Sequence, residues 1–179
     1  MSFVGGVGYS NIDLIYSGLD RLPDKGEEIF ARGFSMQFGG GIPATMINLS
    51  RLGVESRIIT FAGHDLFSKK IKKTLNSYPV KTVNLYKGNK MPVVLSSFLL
   101  YCGDRSFISY TDGMDLNDAV MDEVYENLKG AYVVDMHVGF LDVYKRLKKD
   151  GCIQIFDTGW EDDLTLEKYK DYLEIADYY

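Results

Sequence analysis

The sequence predicts an α/β fold: a central, mostly parallel sheet with helices on both faces, plus a small antiparallel β flap. Three observations carry that reading. From residue 53 onward, short apolar runs alternate with amphipathic segments of helical period, the pattern that builds a parallel sheet through crossovers. One strand-rich insert, Pro92 to Thr111, interrupts the alternation. A triple glycine, Gly39-Gly40-Gly41, runs straight into an apolar-periodic helix that Gly53 stops.

Phe3 to Val7 reads as a short buried strand with glycines at its end. Ile12 to Tyr16 and Ile29 to Gln37 are extended, alternating segments separated by the turn-rich Leu22-Pro23-Asp24-Lys25-Gly26. Pro43 to Leu52 is the helix behind the glycines; proline suits its first turn, where the missing N–H has no intrahelical partner anyway. Arg57 to Phe61 is a strand, Leu66 to Tyr78 an amphipathic helix and Lys81 to Tyr86 a strand. Pro92 to Tyr101 and Ser106 to Thr111 form a hairpin across Cys102-Gly103-Asp104-Arg105. Helix over Asp118 to Leu128, strand over Ala131 to Met136 and helix over Leu141 to Lys149 follow. Strand over Cys152 to Asp157 and helix over Leu166 to Ile175 complete the chain.

A length of 179 residues suits one domain with a proper core. The net charge of −5 speaks against nucleic acid or an anionic membrane as partner. Lys69-Lys70 with Lys72-Lys73, and the run Lys145 to Lys149, sit at helical spacing and read as solvated helix faces. Cys102 and Cys152 have no metal-ligand spacing; both read as buried, inert thiols, in keeping with a reducing compartment. The N-terminus lacks the basic and apolar regions of a signal peptide. The apolar run Met91 to Cys102 is too short to span a membrane and contains Ser96 and Ser97, so a cytoplasmic location is expected.

An open α/β sheet binds ligands beyond the carboxyl ends of its strands, near the point where strand order reverses. The residues after Val7, Met136 and Phe156 supply Asn11, Asp13, His137 and Asp157 there. Glycines allow close ligand approach, and the helix behind them offers free N–H groups and a positive dipole end. Gly39, Gly40 and Gly41 therefore read as a cradle for a polar ligand, against the plainer reading of a tight turn. Asp13 can accept hydrogen bonds from two hydroxyls, or simply cap a turn. Asn11 offers both donor and acceptor, though asparagine is common in turns. His137 can bond a hydroxyl or be structural, and Phe107 can cover a ligand's apolar face or be flap core. Asp157-Thr158-Gly159-Trp160 fits an ordinary turn; an aspartic-protease reading lacks its second carboxylate motif. Gly5-Gly6-Val7-Gly8 fails as a dinucleotide fingerprint, because Asn11 stands where the third glycine belongs.

In order along the whole chain, these residues resemble the ribokinase/PfkB family of carbohydrate kinases. Val4-Gly5-Gly6-Val7-Gly8 through Asn11-Ile12-Asp13 resembles its opening strand and Asn-x-Asp. Leu22-Pro23-Asp24-Lys25-Gly26-Glu27 resembles its Pro-x-x-Gly-Glu segment, and Phe38-Gly39-Gly40-Gly41 through Arg51-Leu52-Gly53 its N-terminal signature. Gly63-His64-Asp65-Leu66-Phe67 is similar to the Gly-x-Asp-x-Phe-Gly turn, with Ser68 in place of glycine. Gly103-Asp104-Arg105 resembles the hairpin's Gly-Glu-Arg, and Gly113 stands where a Gly-Ala-Asn-like run begins.

The resemblance implies a ribokinase-like domain over residues 1–179, with a β lid from about 12–37 and 92–111. It implies ATP-dependent phosphoryl transfer to a hydroxyl of a small sugar, polyol or nucleoside. Asn11, Asp13, Gly39, Gly40, Gly41, Phe107 and His137 would bind that acceptor. Ala44 falls where the family has a sugar-binding asparagine, and Gly41 where ribokinases have a lysine. The family's Gly-Ala-Gly-Asp motif, which carries the catalytic aspartate and the ATP site, does not occur in this sequence. The chain therefore reads as a fold truncated on its C-terminal side: a substrate-binding half, with no catalytic residue and no metal site of its own. ATP and Mg2+ are expected to bind mainly through the other half. The rival reading is a non-catalytic sugar- or nucleoside-binding protein derived from a kinase. The lid's open sheet edges make a homodimer through the lid the expected assembly.

Overall fold

The computed structural model describes residues 2–159, 161 and 164–179. The chain begins with β1 (Phe3–Val7), β2 (Asn11–Leu19), β3 (Gly33–Gly39), α1 (Gly41–Arg51), β4 (Ser56–Thr60), α2 (Leu66–Leu75) and β5 (Lys81–Asn84). It continues through β6 (Val94–Tyr101), β7 (Asp104–Tyr110), α3 (Asp118–Leu128), β8 (Ala131–Met136), α4 (Leu141–Lys149), β9 (Ile153–Phe156) and α5 (Leu166–Ile175). The boundaries expected from periodicity hold to within a few residues. The largest shift is at residues 29–32, which are a loop rather than strand. Arg32 at its end is paired with Asp20 rather than joined to a strand ladder.

Five strands form a wholly parallel sheet in the order β5-β4-β1-β8-β9. Helices cover both faces. Ile42, Met46 and Ile47 of α1 and Ile71 and Leu75 of α2 pack with Ile58 on one side. Val124 and Leu128 of α3, Val143, Tyr144 and Leu147 of α4, and Tyr169 and Tyr172 of α5 pack with Val7, Ile59, Val134 and Phe156 on the other.

The central strand is squeezed from both faces. A Cβ at Gly5 would lie 2.7 Å from Leu128 Cδ2, and one at Gly6 2.6 Å from Ile42 Cγ2. These glycines let α3 and α1 close onto β1, which accounts for them without a dinucleotide.

The lid is a second sheet, ordered β3-β2-β6-β7. It is mixed, not antiparallel as expected. β2–β3 and β6–β7 are antiparallel hairpin pairs, but β2 and β6 pair in parallel, from Asn11↔Val94 to Tyr16↔Leu99. The cause is topological: β2 and β6 both run outward from the main sheet, and their partners return. Ile12 at the root of β2 is fully buried against the α1–α2 core, which fixes the lid's base.

The lid hairpin turns through two residues, Cys102 (φ 48) and Gly103 (φ 78), the positive φ values a type I′ turn requires. Cys102 is thus exposed, contrary to the expectation of a buried thiol. Cys152 is buried, and burial pushes its thiol pKa up to about 11, which keeps it protonated and inert. Among the described residues, no helix is long and apolar enough to cross a membrane.

Candidate functional site

Strand order reverses at β1: β4 and β5 extend to one side, β8 and β9 to the other. The crevice beyond the carboxyl ends of β1 and β8 is the switch point of this sheet. Asn11 and Asp13 enter it from the start of β2, the glycines from the β3–α1 junction and His137 from the end of β8.

Asp13 stands in register with Gln37 of β3 and Ser96 of β6, on one face of the lid. Its Oδ1 is buried without a hydrogen-bond partner, and burial raises its pKa above the ordinary carboxylate value. A Cβ at Gly39 would lie 2.3 Å from Asp13 Oδ2, so only glycine leaves that carboxylate its place. Gly40 is excluded from bearing a side chain twice over. Its φ is 106°, and its Cβ would lie 2.7 Å from the Tyr9 carbonyl oxygen. Gly41 differs: nothing lies within 4 Å of a Cβ there.

Gly40 is the N-cap of α1 and supplies no side-chain cap. The Ala44 N–H donates to Gly40 O at 3.0 Å, and Pro43 has no N–H. The N–H groups of Gly41 and Ile42 are therefore left without an intrahelical partner at the positive end of the helix. Asn11, in register with Gly39, has a side chain with no hydrogen-bond partner among the described residues.

Thr45 extends this constellation across the crevice. Its Oγ1 donates to Gly41 O at 3.2 Å and stands near the Asp135 carboxylate. Burial raises the Asp135 pKa; the nearby Thr45 hydroxyl opposes the rise and the Asp157 charge adds to it. His137 follows two residues later, with its ring 6.0 Å from that of Tyr9, edge-on at 67°. Asp13 and Asn11 thus stand beside Gly39, and His137 beside Tyr9 and Gly8, all beyond the carboxyl ends of β1 and β8.

Phe107 lies farther out. It sits on the Asp13 face of the lid, in the rung Ile15–Phe98–Phe107, beyond the rung Asp13–Ser96–Ser109. Its ring is 4.4 Å from that of Phe98, edge-on, and it is 45% exposed. Asp157 is exposed, and its Oδ1 accepts the Gly159 N–H at 2.9 Å, the plain turn reading; Trp160 lies outside the described residues.

No family model and no curated protein sequence matches the chain. Solved structures do. Ribokinase from Giardia lamblia superposes with a TM-score of 0.79 at 18% identity, over 99% of this chain and 56% of that one. Arabidopsis thaliana ribokinase, solved with ribose and ATP, gives 0.71 at 23% identity, over 91% of this chain and 55% of its own. The microbiome-derived acarbose kinase Mak1 gives 0.76 at 16%, over 99% and 59%. This is the ribokinase fold. The chain spans a little over half the length of each of these neighbours.

Within the ribokinase fold, the departures noted in the sequence have structural readings. Ser68 is fully buried: its Oγ accepts the Gly63 N–H at 2.8 Å while its own N–H caps onto Asp65 Oδ1 at 2.9 Å. The serine ties the turn to α2 where a glycine could not. Ala44 is exposed on the first turn of α1 and presents only a methyl group there. Gly41 leaves open the space that a lysine would occupy.

Sequence reasoning passed over Asp135 and Thr45. The signal was present: one carboxylate inside the apolar strand Ala131–Met136 is a charge that needs a reason. Among the described residues there is no group of three His, Cys, Asp or Glu able to hold a metal, and segments 8–13, 39–45, 135–139 and 157–159 contain no Lys or Arg.

Proposed function

We propose that this chain is the acceptor-binding half of an ATP-dependent kinase acting on a hydroxyl of a small sugar, polyol or nucleoside. The observation that carries the reading is Asp13: a half-buried carboxylate with an unpartnered oxygen, given room by Gly39 beside the free N–H groups of α1. Such a carboxylate accepts hydrogen bonds from neighbouring hydroxyls, and Asn11 adds a donor and an acceptor. The ribokinase solved with ribose and ATP supports a small sugar as ligand. When bound, ATP supplies the phosphoryl group. The residues of this chain hold the acceptor hydroxyl in place, and the lid, with Phe107 on its inner face, shields it from water. A lid with open edges at β3 and β7 also supports pairing of two chains.

The test is acceptor-dependent ADP release by the full-length gene product, screened over D-ribose and a panel of hexoses, polyols and nucleosides. Turnover with one class supports the kinase. Sugar binding by calorimetry with no turnover on any acceptor supports the rival, a binding protein, which the methyl group of Ala44 in place of a donor favours.

A further inference from the structure

The turn after β8 is anchored by two tyrosines that lie outside the crevice. Tyr144 of α4 is fully buried, and its hydroxyl accepts the His137 N–H at 2.8 Å. Tyr172 of α5, 8% exposed, accepts the Gly139 N–H through its hydroxyl at 2.8 Å. Both ends of a three-residue turn are therefore held from the helical layer opposite α1. Burial keeps the Tyr144 hydroxyl far above its ordinary pKa and so neutral.

The imidazole on that turn has its tautomer assigned by its neighbour. His137 Nδ1 lies 2.7 Å from the Val138 carbonyl oxygen. A carbonyl oxygen only accepts, so Nδ1 carries the hydrogen and Nε2 of the neutral ring is a bare acceptor. The Cδ2 atom bonded to Nε2 lies 3.7 Å from where a Gly8 Cβ would stand. The acceptor edge is thus turned to the end of β1, on the side from which Asn11 enters.

We propose that His137 presents Nε2 as a fixed hydrogen-bond acceptor for a ligand hydroxyl, and that Tyr144 and Tyr172 are positioning residues that hold it so. The inference rests on the acceptor-binding reading for its ligand, but not for its geometry. It adds a ring-nitrogen acceptor to the carboxylate acceptor of Asp13. A ligand must then offer hydroxyl hydrogens at two separated places, which selects polyhydroxylated molecules over monohydroxylated ones.

The experiment begins with the full chain labelled with 15N-histidine. It has two histidines, and His64→Gln assigns the pair. At a pH where both rings are neutral, His137 is expected to show a protonated Nδ1 and a pyridine-like Nε2, and Tyr144→Phe is expected to mix its tautomers. Tyr172→Phe, which frees the other end of the turn, is the second variant. The binding arm uses D-ribose first, then the best member of the panel. His137→Ala is expected to weaken binding about 5- to 10-fold, the worth of one neutral hydrogen bond. Tyr144→Phe should weaken it less, and should have no further effect once His137 is alanine. An Nε2–H tautomer in the wild-type chain overturns the proposal, as does a Tyr144→Phe effect that adds fully to His137→Ala. If no sugar binds at all, the acceptor-binding reading falls, while the tautomer spectrum still decides whether His137 is held as described.

Discussion

Asp13→Asn tests the site in two directions at once. The wild-type carboxylate is half-buried with one oxygen unpartnered, and burial raises its pKa. Asparagine keeps a polar atom in that place but not the charge; burying an unpartnered charge costs more than burying a neutral amide, and partial solvent access holds the difference to about 1 kcal/mol. Removing the charge should therefore stabilise the ligand-free chain at neutral pH by about 1 kcal/mol. In a protein of this size that is a rise in Tm of about 2–4 °C. The pH dependence has a definite sign. The folded-state pKa lies above the unfolded one, so as pH rises the unfolded chain ionises first and the wild type loses stability until the folded-state pKa is passed. The advantage of the asparagine variant should be absent in acid, grow above the ordinary aspartate pKa and then level off. Ligand binding should move the other way. Replacing charge-assisted bonds to two hydroxyls by neutral ones weakens binding by about 10- to 100-fold. Differential scanning fluorimetry over a pH series and titration calorimetry with the acceptor read the two effects. A variant that is less stable than wild type yet binds the acceptor normally would show that Asp13 is structural, and the site assignment would fail.

The cradle glycines should separate by position. Gly40→Ala is strained by its φ of 106° and meets the Tyr9 carbonyl, for a loss of about 1–3 kcal/mol in urea unfolding. Gly39→Ala displaces the Asp13 carboxylate and should abolish acceptor binding, whereas Gly41→Ala, with open space around it, should change stability by no more than about 0.5 kcal/mol. Cys102→Asn, at φ 48, should raise stability by about 0.5–1 kcal/mol, because asparagine tolerates that conformation better. Gly5→Ala and Leu128→Ala should each destabilise, the latter by about 2–5 kcal/mol, but the double variant should lose less than their sum, since the new methyl group enters the space the leucine leaves.

Much of this fold is legible locally. The α2 start is written in Asp65 and its bond to the Ser68 N–H; the α3 start is written in Asn117, whose side chain accepts the Val120 N–H at 3.1 Å. The glycine-to-helix junction is likewise legible, because close approach demands glycine at Gly39 and positive φ demands it at Gly40. The parallel pairing of β2 with β6 is not. Each hairpin announces itself, but nothing in either segment says which strand of one lies beside which strand of the other across more than eighty residues, as from Asn11 to Val94. The tyrosines behind His137 were hidden for a related reason. Tyr144 and Tyr172 occupy apolar-periodic helix positions, where an aromatic reads as core, and their hydroxyl partners come from a turn distant in sequence. Asp135 was missed because its strand reads as buried, so the eye moves to the strand's end.

The pattern of unmet hydrogen bonding argues for the class of ligand more sharply than any single residue. Four described side-chain atoms are buried without a partner: Asp13 Oδ1, Arg57 Nε, Thr82 Oγ1 and Gln154 Oε1. Only Asp13 stands at the carboxyl end of the sheet. Around it the chain offers an acceptor carboxylate, an amide that both donates and accepts, the two free N–H groups of α1 and the Nε2 acceptor of His137. Donors and acceptors are both offered at this end of the sheet, which suits hydroxyl groups, since each can donate one bond and accept others. An anionic ligand fits poorly: Asp13 and Asp135 stand close by, and the segments lining the crevice supply no lysine or arginine. Gly41→Lys tests this directly, because the open space at Gly41 admits a long side chain without repacking. If the crevice is built for neutral hydroxyls, the lysine should bring in affinity for a sugar phosphate over its parent sugar. An unchanged preference would mean that the carboxylates, rather than the missing cation, set the selectivity.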